Sequence, residues 1–380
     1  MIIESLIILL IISAIASFFY GLYVGNYKIL PFKYIEKFYF QNKNKVTYNH
    51  NHAEGKKAEW IYENDVGALI RIQTESDIEE KRNDIIKYLW GSDGLPKHFP
   101  AKIDENFKDS RYDHLPNLKQ IDKLTVKMEY DMESIIYLYE PESKNGNLVI
   151  YHEGHNGDWD RETKTIQHFL SKGYVVLAAA MPLLGFNANP IVDFPDFGKI
   201  KLEFHNQLHL LETNEFHPLK FYFEPIVVAL NHTIKKFNIK KTYMIGLSGG
   251  GWTTIVYPAI DTRISHGYSV AGANPIFLRL DQTDYFDYEH TVPEFYRLAN
   301  YEELYVMSSF GDGRKLVQIY NKWDTCCFSN DLYKIYEKTI KQKLKTLGKG
   351  NFENYLDDTY RGHEVSKYGL KIISDSIESD

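Results

Sequence analysis

The chain has 380 residues, a formal net charge of −7 at neutral pH, 44% hydrophobic residues and 25% charged residues. This length allows one large hydrophobic core or two modest ones, in a composition ordinary for a globular protein. Nucleic-acid-binding proteins usually carry a basic stripe, whereas this chain is acidic and has no run of like charges, so we expect no nucleic-acid partner.

The N-terminal segment from Ser5 to Tyr27 contains no charged residue. Its length matches that of a helix crossing the bilayer core, and the tyrosines near its end favour the membrane interface. We predict a transmembrane anchor over 1–27. A cleaved signal peptide, with Ala14-Ile15-Ala16 as the cleavage site, and a buried core helix are the alternatives. The first lacks a basic n-region, and the apolar run continues past Ala16.

Positive charge follows the apolar segment rather than preceding it. Five lysines come after it, at Lys28, Lys33, Lys37, Lys43 and Lys45, and no Lys or Arg comes before it. Positive flanks of a membrane span stay in the cytoplasm, which predicts a single-pass protein whose main domain is cytoplasmic. The opposite orientation remains an alternative, because long domains can be translocated largely regardless of flanking charge.

The region 28–120 is predicted to tether and wrap the domain that follows. It is polar and aromatic with poor periodicity up to about residue 64, and a helix is predicted over 76–90 from the spacing of its apolar residues. His50 and His52 in this region could bind a metal, but the surrounding sequence has no pattern that supports a site.

From Lys123 onward, strands alternate with helices. Two apolar runs, at 124–128 and 135–139, predict a β-hairpin at a sheet edge, and later runs predict strands at 148–151, 174–180, 242–245, 315–320 and 352–356. Strands alternating with helices form a parallel sheet with right-handed crossovers. We therefore predict an α/β catalytic domain over 121–380.

The stretch Gly246-Leu247-Ser248-Gly249-Gly250 follows one of these strands and precedes a helix. It fits the pattern G-x-S-x-G, the nucleophile elbow, in which a serine sits on a strained turn above the sheet. Small residues at Gly246 and Gly250 would let strand and helix pack closely around that turn. A chance match, or an ordinary strand-to-helix turn, is the other interpretation.

A serine nucleophile needs a base, and the base needs an acid that orients it. On such a sheet these residues follow in the order serine, acid, histidine. Asp324 lies just past the strand at 315–320, and His363 is the only histidine after it. We predict the triad Ser248, Asp324 and His363. The other acid candidates are Asp312, Asp357 and Asp358.

These motifs together make the chain resemble the α/β-hydrolase superfamily, over roughly Lys123 to Ile377. The resemblance rests on the elbow, on Asn321-Lys322-Trp323-Asp324 and on Gly362-His363-Glu364. It implies an α/β-hydrolase fold, with a mostly parallel sheet and helices on both faces. It also implies an oxyanion donor on the backbone of Gly249. The second donor would come from the loop His152-Glu153-Gly154-His155, in which Glu153 departs from the family's His-Gly pattern. We favour His155 over Asn156 for this donor.

Other features have competing interpretations. His152, His155, Glu153 and Asp158 could be metal ligands, although H-E-x-x-H is missing, and we predict no metal and no cofactor. The adjacent Cys326 and Cys327 are interpreted as packing residues, because adjacent cysteines rarely form a disulfide. An aromatic insert at about 275–310 is predicted to be a lid, or else an insert packed on the core.

The sequence thus predicts a membrane-anchored serine hydrolase that cleaves a carboxylic ester of a small or acylated substrate through an acyl-enzyme. The alternatives are a peptidase, thioesterase or lipase with the same triad, and a membrane-tethered binding protein without activity.

Overall fold

A computed structural model describes residues 2–27, 29–32, 34, 59–155, 157, 163–279, 287–324, 326–328 and 331–379 of the chain. The chain divides into two compact units, Met1–His52 and Ala53–Asp380. Most residues between 28 and 58 of the predicted tether, including His50 and His52, lie outside the described residues.

Helix α1, Ile2–Tyr27, is the main element of the first unit. Its segment Ser5–Gly25 has a mean hydropathy of 2.4. By length and composition it can cross a membrane. A signal sequence would pass the same test, so the helix itself does not distinguish the two.

The second unit contains the remaining helices and all the strands among the described residues. Its α-helices are α2 (Val66–Leu69), α3 (Glu75–Trp90), α4 (Thr163–Ser171), α5 (Lys220–Lys236), α6 (Gly249–Ile260), α7 (Pro293–Leu298), α8 (Tyr301–Ser309), α9 (Glu337–Leu347) and α10 (Lys367–Glu378). Its strands are β1 (Lys102–Asp104), β2 (Leu118–Lys127), β3 (Glu133–Pro141), β4 (Leu148–His152), β5 (Val175–Ala179), β6 (Ile191–Phe194), β7 (Gly198–Lys201), β8 (Thr242–Leu247), β9 (His266–Val270), β10 (Lys315–Asn321) and β11 (Asn351–Asp357).

Nine strands form one sheet in the order β1-β2-β3-β5-β4-β8-β9-β10-β11. The first three are antiparallel to their neighbours, and the six from β5 to β11 are parallel. Strands β6 and β7 form a separate antiparallel hairpin. Parallel strands need crossover connections, and these place helices on both faces of the sheet.

Alternate residues of each central strand face opposite cores. Val149 and Tyr151 of β4 belong to a core shared with α4 and α10, whereas Leu148 and Ile150 belong to a second core. The second core includes residues of α3, α5, α6, α8 and α9. Burial on both faces explains why these strands appear in the sequence as short continuous apolar runs.

The predicted elements are largely confirmed, with boundary corrections. The helix predicted over 76–90 is α3, whose capping box pairs Thr74 with Asp77 and which ends at Gly91, a residue with φ of 66°. The predicted hairpin exists as β2 and β3, but β1 pairs outside β2, so β2 is not the edge strand. The predicted domain boundary between residues 120 and 121 falls inside β2. Residues 53–120 belong to the same compact unit as the residues that follow them.

The aromatic insert contains a core helix. Every residue of α8 is buried, and α8 packs on α6 as the crossover between β9 and β10, so the insert ends before Tyr301. Strand β9 was not predicted. Tyr288 and Phe295 of the insert are fully buried in the core. Residues 280–286 of the insert lie outside the described residues, and the lid predicted over about 275–310 stays a prediction.

Candidate active site

Ser248 occupies the turn between β8 and α6, with φ of 57° and ψ of −123°. L-residues rarely adopt a positive φ, and this strained conformation is that of a nucleophile elbow. The Ser248 N–H donates a hydrogen bond to the Val270 carbonyl on β9 (2.9 Å), and its carbonyl accepts one from Trp252 N–H (3.0 Å). Bonds on both sides hold the strained turn in place.

Glycines at the elbow allow backbone segments to approach closely. A Cβ at Gly246 would overlap the carbonyl oxygen of Gly250, and a Cβ at Gly250 would overlap the carbonyl oxygen of His152. A Cβ at Gly154 would lie 2.5 Å from the Ser248 Cβ. The role predicted for Gly246 and Gly250 therefore follows from steric contact, and the loop after β4 packs directly on the elbow.

Gly249 and His155 lie against each other beside Ser248. Gly249 is the first residue of α6, where backbone N–H groups have no partner within the helix and carry its positive dipole end. A Cβ at Gly249 would lie 2.7 Å from His155 Cε1, so the imidazole covers this residue. Asn156, the other residue considered for the second oxyanion donor, lies outside the described residues.

Glu153, the departure from the His-Gly pattern, folds back on its own loop. Its carboxylate accepts hydrogen bonds from Tyr151 Oη (2.8 Å) and from Gly154 N–H (2.9 Å), and it is fully buried. The inserted residue thus stabilises the turn that brings Gly154 over the elbow.

Asp324 and His363 form a hydrogen-bonded pair at the same sheet edge. His363 Nδ1 lies 2.8 Å from Asp324 Oδ2, and Asp324 Oδ1 accepts the backbone N–H of Cys326 at 2.8 Å. Asp324 is 5% exposed. The acceptor carboxylate assigns the proton of a neutral His363 to Nδ1, which leaves Nε2 as the basic nitrogen.

The other acid candidates either have other hydrogen-bond partners or are exposed. Asp357 is buried and caps the loop before α10, accepting hydrogen bonds from Thr359 N–H (2.8 Å) and from the Ser366 hydroxyl. Asp358 is exposed. Asp312 is exposed in the turn before β10, at the opposite edge of the sheet from Asp324.

Ser248 Oγ makes no hydrogen bond to His363 within the described part of the chain. Catalytic hydrogen bonds are often long or poorly aligned without substrate and tighten in the reacting complex. The structure therefore places the elbow serine after β8 and the Asp324–His363 pair after β10 and β11, at the carboxyl edge of one parallel sheet.

Asn321 is a site residue that sequence reasoning missed. Its Nδ2 donates to the carbonyls of Gly362 (3.3 Å) and Glu364 (3.0 Å) and lies 3.4 Å from Asp324 Oδ2. Asn321 thereby fixes the loop of His363 to the end of β10. The signal was its position three residues before the predicted acid, at the end of a buried strand.

Cys326 and Cys327 are joined as a disulfide, which corrects the prediction that they only pack. Cys327 is also buried, against Tyr320 and Phe328, whereas Cys326 is exposed. Cys326 lies two residues after Asp324, and its backbone N–H donates a hydrogen bond to that carboxylate.

His152 is a neutral buried histidine. Burial lowers its pKa from the ordinary 6.5 to about 4, despite the hydrogen bond between Nδ1 and the Glu153 carbonyl (2.9 Å). Because His152 and Glu153 have these partners, the described members of the metal set suggested by the sequence are not assembled. Asp158 lies outside the described residues.

The strand order and the elbow define the α/β-hydrolase fold, as the resemblance implied. No protein-family model matches the sequence, and no curated protein matches it. An acetyl xylan esterase from Paenibacillus sp. R4 is similar in structure at 16% identity, with 83% of this chain and 98% of that chain covered and a TM-score of 0.53.

A second similar structure is the methylesterase BT1017, at 11% identity, with 85% of this chain and 68% of that chain covered and a TM-score of 0.52. At such identities the similarity establishes the fold, and the chemistry has to be argued from this chain's own residues.

Proposed function

We propose that the protein is a membrane-anchored serine hydrolase that cleaves carboxylic esters of small or acylated substrates. The observation that carries the proposal is a serine on a strained elbow at the same sheet edge as a hydrogen-bonded Asp324–His363 pair. The elbow destabilises the fold through backbone strain, and the buried carboxylate of Asp324 does so through loss of solvation. Nucleophilic catalysis requires both features and so accounts for them.

In the proposed reaction, Ser248 Oγ attacks the substrate carbonyl carbon while His363 Nε2 takes the hydroxyl proton. The resulting oxyanion is bound by the N–H groups of Gly249 and His155. The ester C–O bond breaks, the leaving alcohol takes the proton from His363, and an acyl-enzyme remains. Water attacks the acyl-enzyme by the same route, releasing the acid and restoring Ser248.

Ester substrates are preferred on the names of the similar structures and, over amides, also on leaving-group chemistry. Both similar structures carry the names of esterases. An alcohol is also an easier leaving group than an amine, which favours esters over amides. A peptidase, thioesterase or lipase with the same triad remains the alternative.

We propose that α1 is retained as a single-pass anchor, because its 21-residue apolar segment has the length of a bilayer span. The lysines that follow it favour a cytoplasmic catalytic domain.

A fluorophosphonate probe, which reacts only with activated serines, tests the proposal. The wild-type chain is expected to be labelled on Ser248 and to hydrolyse p-nitrophenyl acetate, whereas Ser248→Ala loses both. The control is Ser269→Ala, a buried serine whose Oγ makes no hydrogen bond within the described residues. Labelling that persists in Ser248→Ala would refute the assignment. A chain that is never labelled would favour the binding protein.

A further inference from the structure

Four potential metal ligands converge beside the elbow, from three distant segments of the chain. They are His155 after β4, His205 at the start of the 3₁₀-helix His205–Leu211, Asp287, and Glu289 in the 3₁₀-helix Tyr288–His290. One side-chain donor atom of each lies within 4.8 Å of the donors of the others. This set is distinct from the one the sequence suggested, with which it shares only His155.

The shorter distances in this cluster match those between the ligands of a tetrahedral metal. His155 Nε2 lies 3.0 Å from His205 Nδ1, 3.3 Å from Asp287 Oδ2 and 3.2 Å from Glu289 Oε1. His205 Nδ1 lies 3.4 Å from Glu289 Oε2. Zinc–ligand bonds of about 2.0–2.2 Å place tetrahedral ligands about 3.3–3.6 Å apart.

His205 is already oriented as a metal ligand. Its Nε2 lies 2.8 Å from the carbonyl oxygen of Pro182, so this nitrogen carries the proton and donates it. The lone pair of Nδ1 is then directed into the cluster. Metal-bound histidines almost always donate their second ring nitrogen to a carbonyl or carboxylate in this manner.

The donor atoms of the cluster hold more lone pairs than protons. His155 Nε2 and His205 Nδ1 are 3.0 Å apart, so at most one of these two facing nitrogens carries a proton. The other nitrogen therefore faces the cluster with its lone pair. A divalent cation supplies two positive charges and uses both nitrogen lone pairs.

Glu289 adds a buried oxygen without a donor to this cluster. Its side chain is fully buried and accepts a hydrogen bond from Tyr222 Oη (2.9 Å) at Oε2, but Oε1 accepts none within the described residues. A metal ion bound in the cluster would give this oxygen a partner.

We propose that His155, His205, Asp287 and Glu289 bind one zinc ion or a similar divalent transition-metal ion. Two nitrogen and two carboxylate oxygen ligands suit zinc, whereas calcium and magnesium prefer oxygen ligands alone. Four protein ligands make this a closed site of the structural type. A cavity of about 580 Å³, lined partly by His155, His205 and Asp287, lets the ion enter.

The ion ties the loop after β4 to the two 3₁₀-helical segments above the elbow. His155 also covers Gly249, so a metal ion bound to His155 fixes the position of this side chain beside the oxyanion site. This last role rests on the proposed function; the metal site itself does not.

The test uses the full chain in detergent, freed of metal by a chelator and then titrated with Zn²⁺ alone. Wild type is expected to bind one Zn²⁺ per chain with a Kd below about 1 µM. His205→Ala and Asp287→Asn are expected to weaken binding by more than about 100-fold, since loss of an outer-shell partner alone costs about 10–100-fold. Asp287→Asn keeps the side chain's shape, and Asp287 is one-third exposed, so folding is preserved.

The matched control is His209→Ala, an exposed histidine on the same 3₁₀-helix whose ring packs on Tyr288 outside the cluster. It should bind Zn²⁺ like wild type. Zn²⁺ should also raise the Tm of wild type but not that of Asp287→Asn. Wild type without stoichiometric binding, unchanged binding in His205→Ala, or an equal loss in His209→Ala would each overturn the proposal. Metal content does not depend on Ser248, so the outcome of this test is independent of fluorophosphonate labelling.

Discussion

The two oxygens of the Asp324 carboxylate have separate partners. Oδ2 faces His363 Nδ1, and Oδ1 accepts the Cys326 N–H. An asparagine has the same shape, but its amide can present an N–H where His363 needs an acceptor. The histidine then protonates on the wrong nitrogen and can no longer take a proton from the serine.

We therefore expect Asp324→Asn to lower kcat for p-nitrophenyl acetate by up to about 10⁴-fold while leaving the fold intact. Combined with His363→Ala, the losses should not multiply, because triad residues act as a unit. Asp358→Asn, which changes an exposed residue of the loop that carries His363, is the control and should keep near-normal activity. Independent, multiplying losses would show that another carboxylate orients His363.

His152 makes stability depend on pH. The unfolded chain binds a proton at an imidazole with a pKa near 6.5, but the folded chain does so only near pH 4. Between these values the unfolded state holds more protons, so the free energy of unfolding decreases as the pH falls from 6.5 toward 4.

From this shift, the free energy of unfolding contributed by His152 is about 2 kcal/mol lower at pH 5 than above pH 7. Urea unfolding of the detergent-solubilised chain at the two pH values measures it. His152→Asn should lose about 2 kcal/mol less on acidification than wild type, whatever its absolute stability. The exposed His114→Asn should behave like wild type. Equal acid sensitivity of wild type and His152→Asn would contradict the prediction.

At the scale of elements, the site depends on how closely α6 approaches the strands beside it. Gly250 lies in the first turn of α6, against the carbonyls of His152 and Glu153 at the end of β4. An added methyl group must push α6 away from β4, which displaces both the serine and the loop that carries His155. Overpacking of this kind costs about 1–3 kcal/mol.

Gly250→Ala should therefore destabilise the protein by about 1–3 kcal/mol and reduce fluorophosphonate labelling of Ser248. Gly369→Ala is the matched control, because Gly369 is also helical, has a negative φ, and an added Cβ there would lie 3.5 Å from the nearest atom, Ser366 Oγ. Alanine's higher helix propensity should raise stability there by up to about 1 kcal/mol. Equal effects of both substitutions on thermal unfolding would rule out the steric argument.

At the scale of the whole molecule, the apolar helix and the lysines after it set membrane attachment and orientation. Lys28 follows the helix directly, and no basic side chain precedes it. Retention of positive charge in the cytoplasm would leave the N-terminus outside and the hydrolase unit inside. The length of the second unit opposes this, since long domains are translocated largely regardless of flanking charge.

A cysteine introduced at Asn51, in a chain carrying Cys326→Ser and Cys327→Ser, tests the orientation. In intact cells a membrane-impermeant thiol reagent should not modify it, whereas after permeabilisation it should. The same chain should stay in the membrane fraction after an alkaline carbonate wash, as an uncleaved anchor does. Modification in intact cells would place the catalytic unit outside, and release by carbonate would favour a cleaved signal peptide.

The elements that sequence predicted well are those whose signal is local. The elbow appears as G-x-S-x-G because glycines are needed where β8, α6 and the loop after β4 meet, and most parallel strands appear as short apolar runs because both faces are buried. The missed strand β9 contains His266, Gly267 and Ser269, whose polar or small side chains hide its burial. The same reasoning predicted Ser248, Asp324 and His363 as nucleophile, acid and base, because each follows a strand end in a fixed order along the chain.

Tertiary structure alone decided the contacts between segments that are far apart in sequence. Asp324 rather than Asp357 or Asp358 faces His363, because β11 directs Asp357 into the cap of the following loop. Asn321 closes the His363 loop, and His155 meets His205 and Glu289 across gaps of 50 and more residues. Sequence periodicity reports which face of an element is buried, but not which distant side chain it meets, because that depends on sheet order and on the path of the loops above it.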